Sequence, residues 1–189
     1  NMNCAVCFAD ANAEQFEPDI DRIRNMYAAA LKSNPFCSVQ LSGGEPTVRE
    51  DLPEIIRLGK AMGVVHLQVN TNGIKLANVP GYAQKLKDAG CDLIYLQFDG
   101  LDDAIYREIR TRDMLDIKLR AIENCEKAGL AILLVPVVIP GVNLHRIGEI
   151  VEFAKKHIPT IRGIHFQPVS YFGRFPGNVP PDESRCGLS

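Results

Sequence analysis

Lys60-Ala61-Met62-Gly63-Val64-Val65-His66-Leu67-Gln68-Val69-Asn70-Thr71-Asn72-Gly73 contains the unit from which the fold is read. A helix-compatible run ends at Gly63, a β-rich run follows over 64–70, and a polar turn closes the segment. Glycine just past a helix adopts a left-handed backbone without the Cβ penalty. Asn-Gly is a strong turn dipeptide. The same helix–glycine–strand junction recurs at Gly90, before a strand at 92–98, and at Gly129, before a strand at 130–139.

Outward from this unit the alternation continues. A helix is expected over 19–33, with Ile20, Ile23, Tyr27, Ala30 and Leu31 on one stripe, stopped by Asn34-Pro35. A short strand fits 36–41. A helix fits 51–62, capped by Asp51, with Pro53 in its first turn and Leu52, Ile55, Ile56 and Met62 sharing a face. Further helices are expected over 80–89, 102–110 and 114–128. Asn143 is expected to cap a helix reaching His157, with Leu144, Ile147, Val151, Ala154 and Ile158 as its stripe. A last strand fits 161–167.

Strands alternating with helices of this length imply successive βα units and a parallel sheet. The polar loops at 42–47, 71–73, 99–100, 140–143 and 168–170 all follow strands, so a barrel would collect them on one rim. The expected fold is α/β, a partial barrel of parallel strands. The chain has 189 residues, whereas a complete eightfold barrel takes about 250. A doubly wound open sheet ranks second, because no G-x-G-x-x-G follows the first strand.

Composition narrows the function classes. Hydrophobic residues make up 46% and charged residues 23%, as in ordinary globular proteins. A net charge of −2 gives no electrostatic reason to expect a nucleic-acid partner. No apolar run approaches the roughly 20 residues of a membrane span. The six cysteines are Cys4, Cys7, Cys37, Cys91, Cys125 and Cys186. Apart from the first two they are scattered, which argues against a disulfide framework and for a reducing, cytoplasmic setting.

Cys4 and Cys7 form a C-x-x-C pair, and a short turn can bring both thiolates to one metal centre. Taken alone, the spacing fits half of a zinc site, a thioredoxin-like redox pair or two free thiols. Ser42-Gly43-Gly44-Glu45-Pro46-Thr47 follows one expected strand, Thr71-Asn72-Gly73 the next, and Gln97-Phe98-Asp99-Gly100 the one after.

This order resembles the radical S-adenosylmethionine (SAM) superfamily, whose signature is C-x-x-x-C-x-x-C followed by a Gly-Gly-Glu-Pro loop. The resemblance implies a six-stranded partial (β/α)6 barrel over residues 1–169, with the first strand and the first cysteine lying before residue 1. Residues 170–189, rich in Pro and Gly, would lead into a further region.

The resemblance also implies a [4Fe-4S] cluster bound by Cys4, Cys7 and the missing cysteine, leaving one iron for SAM. One electron from the cluster would cleave SAM to a 5′-deoxyadenosyl radical that takes a hydrogen atom from substrate. Gly43, Gly44, Glu45 and Pro46 would bind SAM, Glu45 through its ammonium group. Thr71 and Asn72 would lie nearby, with a turn as the alternative for both. Gln97 and Asp99 flank Phe98 and alternate to the opposite face from it. Gln97 and Asp99 would contact ribose or orient substrate, the alternative for Asp99 being a helix cap. Ile139 and Gly141 would lie against adenine. The family's aromatic before the last cysteine is replaced by Val6, which weakens one adenine contact.

His66 and His165 lack metal-binding companions and read as structural. Arg107, Arg110 and Arg112 read as a solvated basic face. Within the superfamily, the quoted motifs are similar to a branch holding tetraether lipid synthases and dihydropterin methylases. That branch implies a small-molecule or lipid substrate, C–C bond formation or methylation at an inert carbon, and an electron donor such as ferredoxin or flavodoxin. A peptide-modifying maturase is the rival within the superfamily. A zinc or thiol redox protein using Cys4 and Cys7 is the rival outside it.

Overall fold

The computed structural model describes residues 17–169. Cys4, Cys7 and the tail from Ser170 to Ser189, including Cys186, lie outside these residues. Helix α1 (Ile20–Ser33) leads to β1 (Ser38–Leu41), α2 (Leu52–Met62), β2 (His66–Thr71), α3 (Ile74–Asn78), α4 (Tyr82–Ala89) and β3 (Leu93–Gln97). Helices α5 (Asp103–Arg110) and α6 (Leu115–Lys127) follow, then β4 (Ala131–Val135), β5 (Val137–Val138), α7 (Ile147–Lys156), β6 (Ile161–Ile164) and β7 (Gln167–Pro168).

The five-stranded sheet runs β1-β2-β3-β4-β6, with every pairing parallel. Each crossover therefore steps in one direction along the sheet, and the order never reverses. A doubly wound sheet reverses direction and covers both faces. Here Leu67, Val69, Ile94, Leu96, Ile132 and Leu134 form one core with apolar side chains of α1 to α4, α6 and α7. The helices lie on that face. The alternate positions, Gln68, Asn70, Tyr95 and Gln97, are half-buried on the other face, the wall of a partial barrel.

The junction glycines behave as expected: Gly63, Gly90 and Gly129 have φ of 104°, 101° and 62°. Four expectations are corrected. The strand at 130–139 is two strands, because Pro136 has no N–H for the ladder, and β5 leaves the main sheet to pair with β7. Asp51 sits before α2 but makes no capping bond there. Its carboxylate is clamped by Arg49, Nε to Oδ1 at 2.9 Å and Nη2 to Oδ2 at 2.7 Å, which holds the Asp51 carboxyl below its usual range.

Asn143 does not cap α7 either. A 3-10 turn, Leu144–Arg146, intervenes, and α7 begins at Ile147. The buried side of α7 is consequently Ile150 and Ala154, while Val151 and Ile158 are 38% and 68% exposed. Finally, Arg110 does not belong to a solvated face: it is 5% exposed, whereas Arg107 and Arg112 are exposed.

Candidate functional site

The strand ends carry two polar assemblies. The first centres on Glu45, which precedes a 3-10 turn begun by Pro46. Its Oε1 accepts from Thr47 Oγ1 at 2.6 Å, Thr47 N at 3.2 Å and Thr71 Oγ1 at 2.7 Å. Its Oε2 accepts from the Asn72 backbone N–H at 2.7 Å. The carboxylate thus ties the loop after β1 to the end of β2.

A carboxylate offers about four lone-pair sites, two on each oxygen. Three donors crowd Oε1, while Oε2 accepts one and has room for another donor. That donor set suits an ammonium group. Gly43, at φ 142°, is exposed, with nothing within 4 Å of where a Cβ would stand. The loop is thus open beside a fixed negative charge.

The turn expected at Asn72-Gly73 is present. Asn72 Oδ1 accepts from Ile74 N at 2.9 Å, opening α3, and Gly73 turns the chain at φ 84°. The Asn72 backbone N–H serves Glu45.

The second assembly is buried under the ends of β2, β3 and β4. Asp99 is fully buried. Arg110 Nε reaches its Oδ2 at 2.7 Å and Nη2 its Oδ1 at 3.0 Å, and Val137 N also donates to Oδ1 at 3.0 Å. This geometry supports a positioning role, tying β3 to α5 and β5. Asp99 does not cap α5; Asp102 does, accepting from Ala104 N at 2.8 Å.

One orientation of the Gln97 amide places Oε1 3.4 Å from Lys118 Nζ. The reverse lets the oxygen accept from Arg110 Nη1 and Nη2 at 3.0 Å each. Two short bonds outweigh one long one, so the amide oxygen is assigned toward Arg110.

Lys118 is also fully buried. It donates to the Asn72 carbonyl at 2.6 Å and lies 5.9 Å above the Tyr106 ring. The Tyr106 hydroxyl donates to Gly100 O at 3.0 Å; burial first, then the Asp99 charge, raises its pKa. Asn143 is 1% exposed. Its Nδ2 donates to Asp99 O at 2.9 Å and Val137 O at 2.7 Å, and its Oδ1 accepts from Ile139 N at 2.8 Å.

Ile139 is buried and packs with Ile105, Ile109 and Val142. Gly141 is exposed at φ 78°. His66 and His165 fit the structural reading: His66 Nδ1 lies 3.8 Å from Asp92 Oδ2, and the His165 ring lies 6.4 Å from that of Tyr95. Among the described residues, no group of three or more His, Cys, Asp or Glu is arranged to hold a metal ion. No described helix is long and apolar enough to cross a membrane.

Arg110, Lys118 and the side-chain role of Asn143 were not among the expected site residues. A lysine in the apolar phase of α6, with Met114, Ala121, Ile122 and Cys125, was the available signal for Lys118.

Comparison with known proteins follows the same lines. The profile of the radical SAM superfamily matches residues 1–154. The chain is 46% identical over 178 residues to a 7,8-dihydro-6-hydroxymethylpterin dimethyltransferase of Methanocaldococcus jannaschii, covering 92% of this chain and 35% of that protein. It is 37% identical over 133 residues to a probable GTP 3′,8-cyclase of Sulfolobus acidocaldarius, covering 70% of this chain and 42% of the relative.

Among solved structures, Streptococcus suis SuiB bound to precursor peptide SuiA superposes with a TM-score of 0.73 at 17% identity, over 90% of this chain and 37% of SuiB. Native anSMEcpe with bound AdoMet and Kp18Cys peptide gives 0.70 at 20% identity, over 89% of this chain and 48% of that one. These two likenesses show the fold. The chain spans about a third to two fifths of the length of the two curated relatives above.

Proposed function

Because this chain belongs to the radical SAM superfamily, we propose that it is the SAM-handling core of an enzyme that methylates, or forms a C–C bond at, an unactivated carbon of a pterin-type heterocycle. The observation that carries the SAM-handling part is the Glu45 clasp. A carboxylate pinned by Thr47, Thr71 and Asn72 stands beside an open glycine loop with acceptor capacity to spare.

The reading assigns Cys4 and Cys7 to a [4Fe-4S] cluster, Glu45 to the SAM ammonium, and Gly43, Gly44 and Pro46 to the loop around it. When bound, the cluster and SAM would supply a 5′-deoxyadenosyl radical. This chain's residues bind and orient SAM. The Glu45 charge attracts the ammonium, and the fixed turn at Thr71-Asn72 keeps that charge in place. On this reading the exposed backbone at Gly141 would meet the adenine, and Gln97 would serve the ribose. Asp99 holds the strand ends that carry them.

The pterin part rests on the M. jannaschii relative, which is similar over nearly the whole chain. The GTP 3′,8-cyclase likeness supports the coarser reading of a fused-ring substrate. A low-potential donor such as ferredoxin or flavodoxin would deliver the electron, in the cytoplasm.

The test uses the full-length protein, purified anaerobically and reconstituted with iron and sulfide. With dithionite and SAM, 5′-deoxyadenosine should form, and Cys4→Ala should abolish it. Glu45→Ala should retain the cluster absorbance and weaken SAM binding by about tenfold, the effect of one charge-assisted hydrogen bond. Unchanged SAM affinity would remove Glu45 from the site. One zinc in place of about four irons would return the protein to the thiol or zinc reading.

A further inference from the structure

The wall opposite the helices is unusual for a barrel interior. Such interiors are dominated by bulky branched residues. Here the positions facing away from the helix core are Ser38 and Gln40 on β1, His66, Gln68 and Asn70 on β2, and Leu93, Tyr95 and Gln97 on β3. Leu93 is the apolar member on β3, beside Gln68, and Leu133 and Val135 make this face apolar on β4.

The register makes these polar side chains neighbours. Gln40 pairs with Gln68, Asn70 with Tyr95, and Tyr95 with Leu133. Adjacent strands lie about 4.8 Å apart, and alternate residues on one strand about 7 Å apart. Gln40, Gln68, Asn70 and Tyr95 therefore make one continuous patch just below the Glu45 rim.

The hydrogen-bonding ends of this patch are largely unused. Gln40, Gln68 and the Tyr95 hydroxyl make no hydrogen bond among the described residues. Asn70 spends only its Nδ2, on Ser42 Oγ at 3.3 Å. The wall positions from Ser38 to Val135 include no Lys, Arg, Asp or Glu.

These observations select a ligand. A hydrocarbon chain seated here would bury several amides without partners, each at a cost of about 1–3 kcal/mol. A charged group would meet no Lys, Arg, Asp or Glu on the wall itself. A side-chain amide presents a donor and an acceptor side by side, which matches a ring edge offering both. The Tyr95 ring and Leu133 supply a flat apolar contact beside the amides.

We propose that this amide-lined wall is the substrate subsite, that it takes a flat uncharged heterocycle with donors and acceptors along one edge, and that Gln40, Gln68 and Asn70 orient that edge beneath the bound SAM. The proposal rests on the radical SAM reading above and adds to it the residues that choose the substrate and the exclusion of lipid.

The experiment uses the full-length reconstituted protein. The probes are 7,8-dihydropterin and, as apolar comparator, an isoprenoid alcohol in detergent. Each is titrated into wild type, Gln40→Leu, Gln68→Leu and Gln68→Glu. The last keeps the side-chain shape and removes its donor.

Wild type should bind the pterin and not the isoprenoid alcohol. Both Leu variants should lose pterin affinity by about tenfold or more, and Gln68→Glu should lose affinity as well. SAM affinity and substrate-free 5′-deoxyadenosine formation should remain at the wild-type level in all variants, which also shows that they fold.

Pterin affinity within about twofold of wild type in both Leu variants overturns the proposal. So does a wild type that binds the isoprenoid alcohol, or neither probe. Failure of the radical SAM reading has a different signature, a wild type that does not cleave SAM.

Discussion

The ammonium of Lys118 donates to the carbonyl of Asn72 at 2.6 Å, joining α6 to a turn 46 residues earlier. The N–H of the same Asn72 donates to Glu45. One residue is therefore held from below by a buried cation and from above by a carboxylate. The geometry of the Glu45 clasp depends on a side chain outside the rim.

Replacing Lys118 with Met keeps the length of the side chain and removes its donor. The Asn72 carbonyl then loses that bond in a buried setting, at a cost of about 1–3 kcal/mol. The full-length variant should unfold at lower urea and bind SAM more weakly than wild type. Ile122→Val, on the core side of the same helix, costs about 0.5–1.5 kcal/mol and should leave SAM affinity intact. Equal SAM affinity in Lys118→Met and wild type would separate Lys118 from the clasp.

Asp99 and Arg110 are each almost completely shielded from solvent, and each holds the other's charge. Removing one partner strands the other, a loss of about 3–5 kcal/mol. Asp99→Asn and Arg110→Met should each be destabilised on that scale. The double variant should be less destabilised than the sum, giving a coupling of about 1 kcal/mol or more in urea unfolding. Additive losses would show that the pair acts as two separate contacts.

Burial pushes the thiols of Cys91 and Cys125 and the hydroxyl of Tyr27 up to about 12. In the unfolded chain the thiols lose their protons near pH 8.5, so above that point the unfolded state binds fewer protons than the folded one. The resulting stability is present below about pH 8.5 and is lost as pH rises toward about 12. The urea midpoint should therefore fall between pH 8.5 and about 10.5. At pH 8, iodoacetamide should modify half-buried Cys37 in the folded protein and reach Cys91 and Cys125 only after unfolding, as read by peptide mass spectrometry. Labelling of Cys125 in the folded state would contradict the assignment.

The fold was legible because its signals are local. A glycine that ends a helix announces itself within a few residues, and the three junctions at Gly63, Gly90 and Gly129 were enough to predict a parallel sheet. Glu45 was legible through its Gly-Gly-Glu-Pro setting. The partners that fix it were not: Thr71 and Asn72 stand 26 and 27 residues away, and adjacency across two strand ends is a tertiary fact.

The buried cations were misread for a related reason. Arg110 was grouped with Arg107 and Arg112 by charge, although it shares the helix face of Tyr106 and Ile109 and is buried with them. Asn143 looked like a cap because caps are the commonest use of an Asn before a helix. In the structure its amide instead satisfies three backbone groups, the Asp99 and Val137 carbonyls and the Ile139 N–H, in the loops beyond β3 and β4.

Because the sheet runs β1-β2-β3-β4-β6 without reversal, almost every strand pairs with the strand made just before it. Each pairing can close as soon as the intervening helix exists, and no strand must wait for a distant segment of the chain to arrive. The wall can therefore be laid down in the order of synthesis, each βα unit docking on a template already in place. The strand-end tie fits the same order: Lys118 reaches back past one strand to Asn72, and α6 precedes β4 and β6 in the chain, so that tie can close before the last two strands of the wall are added.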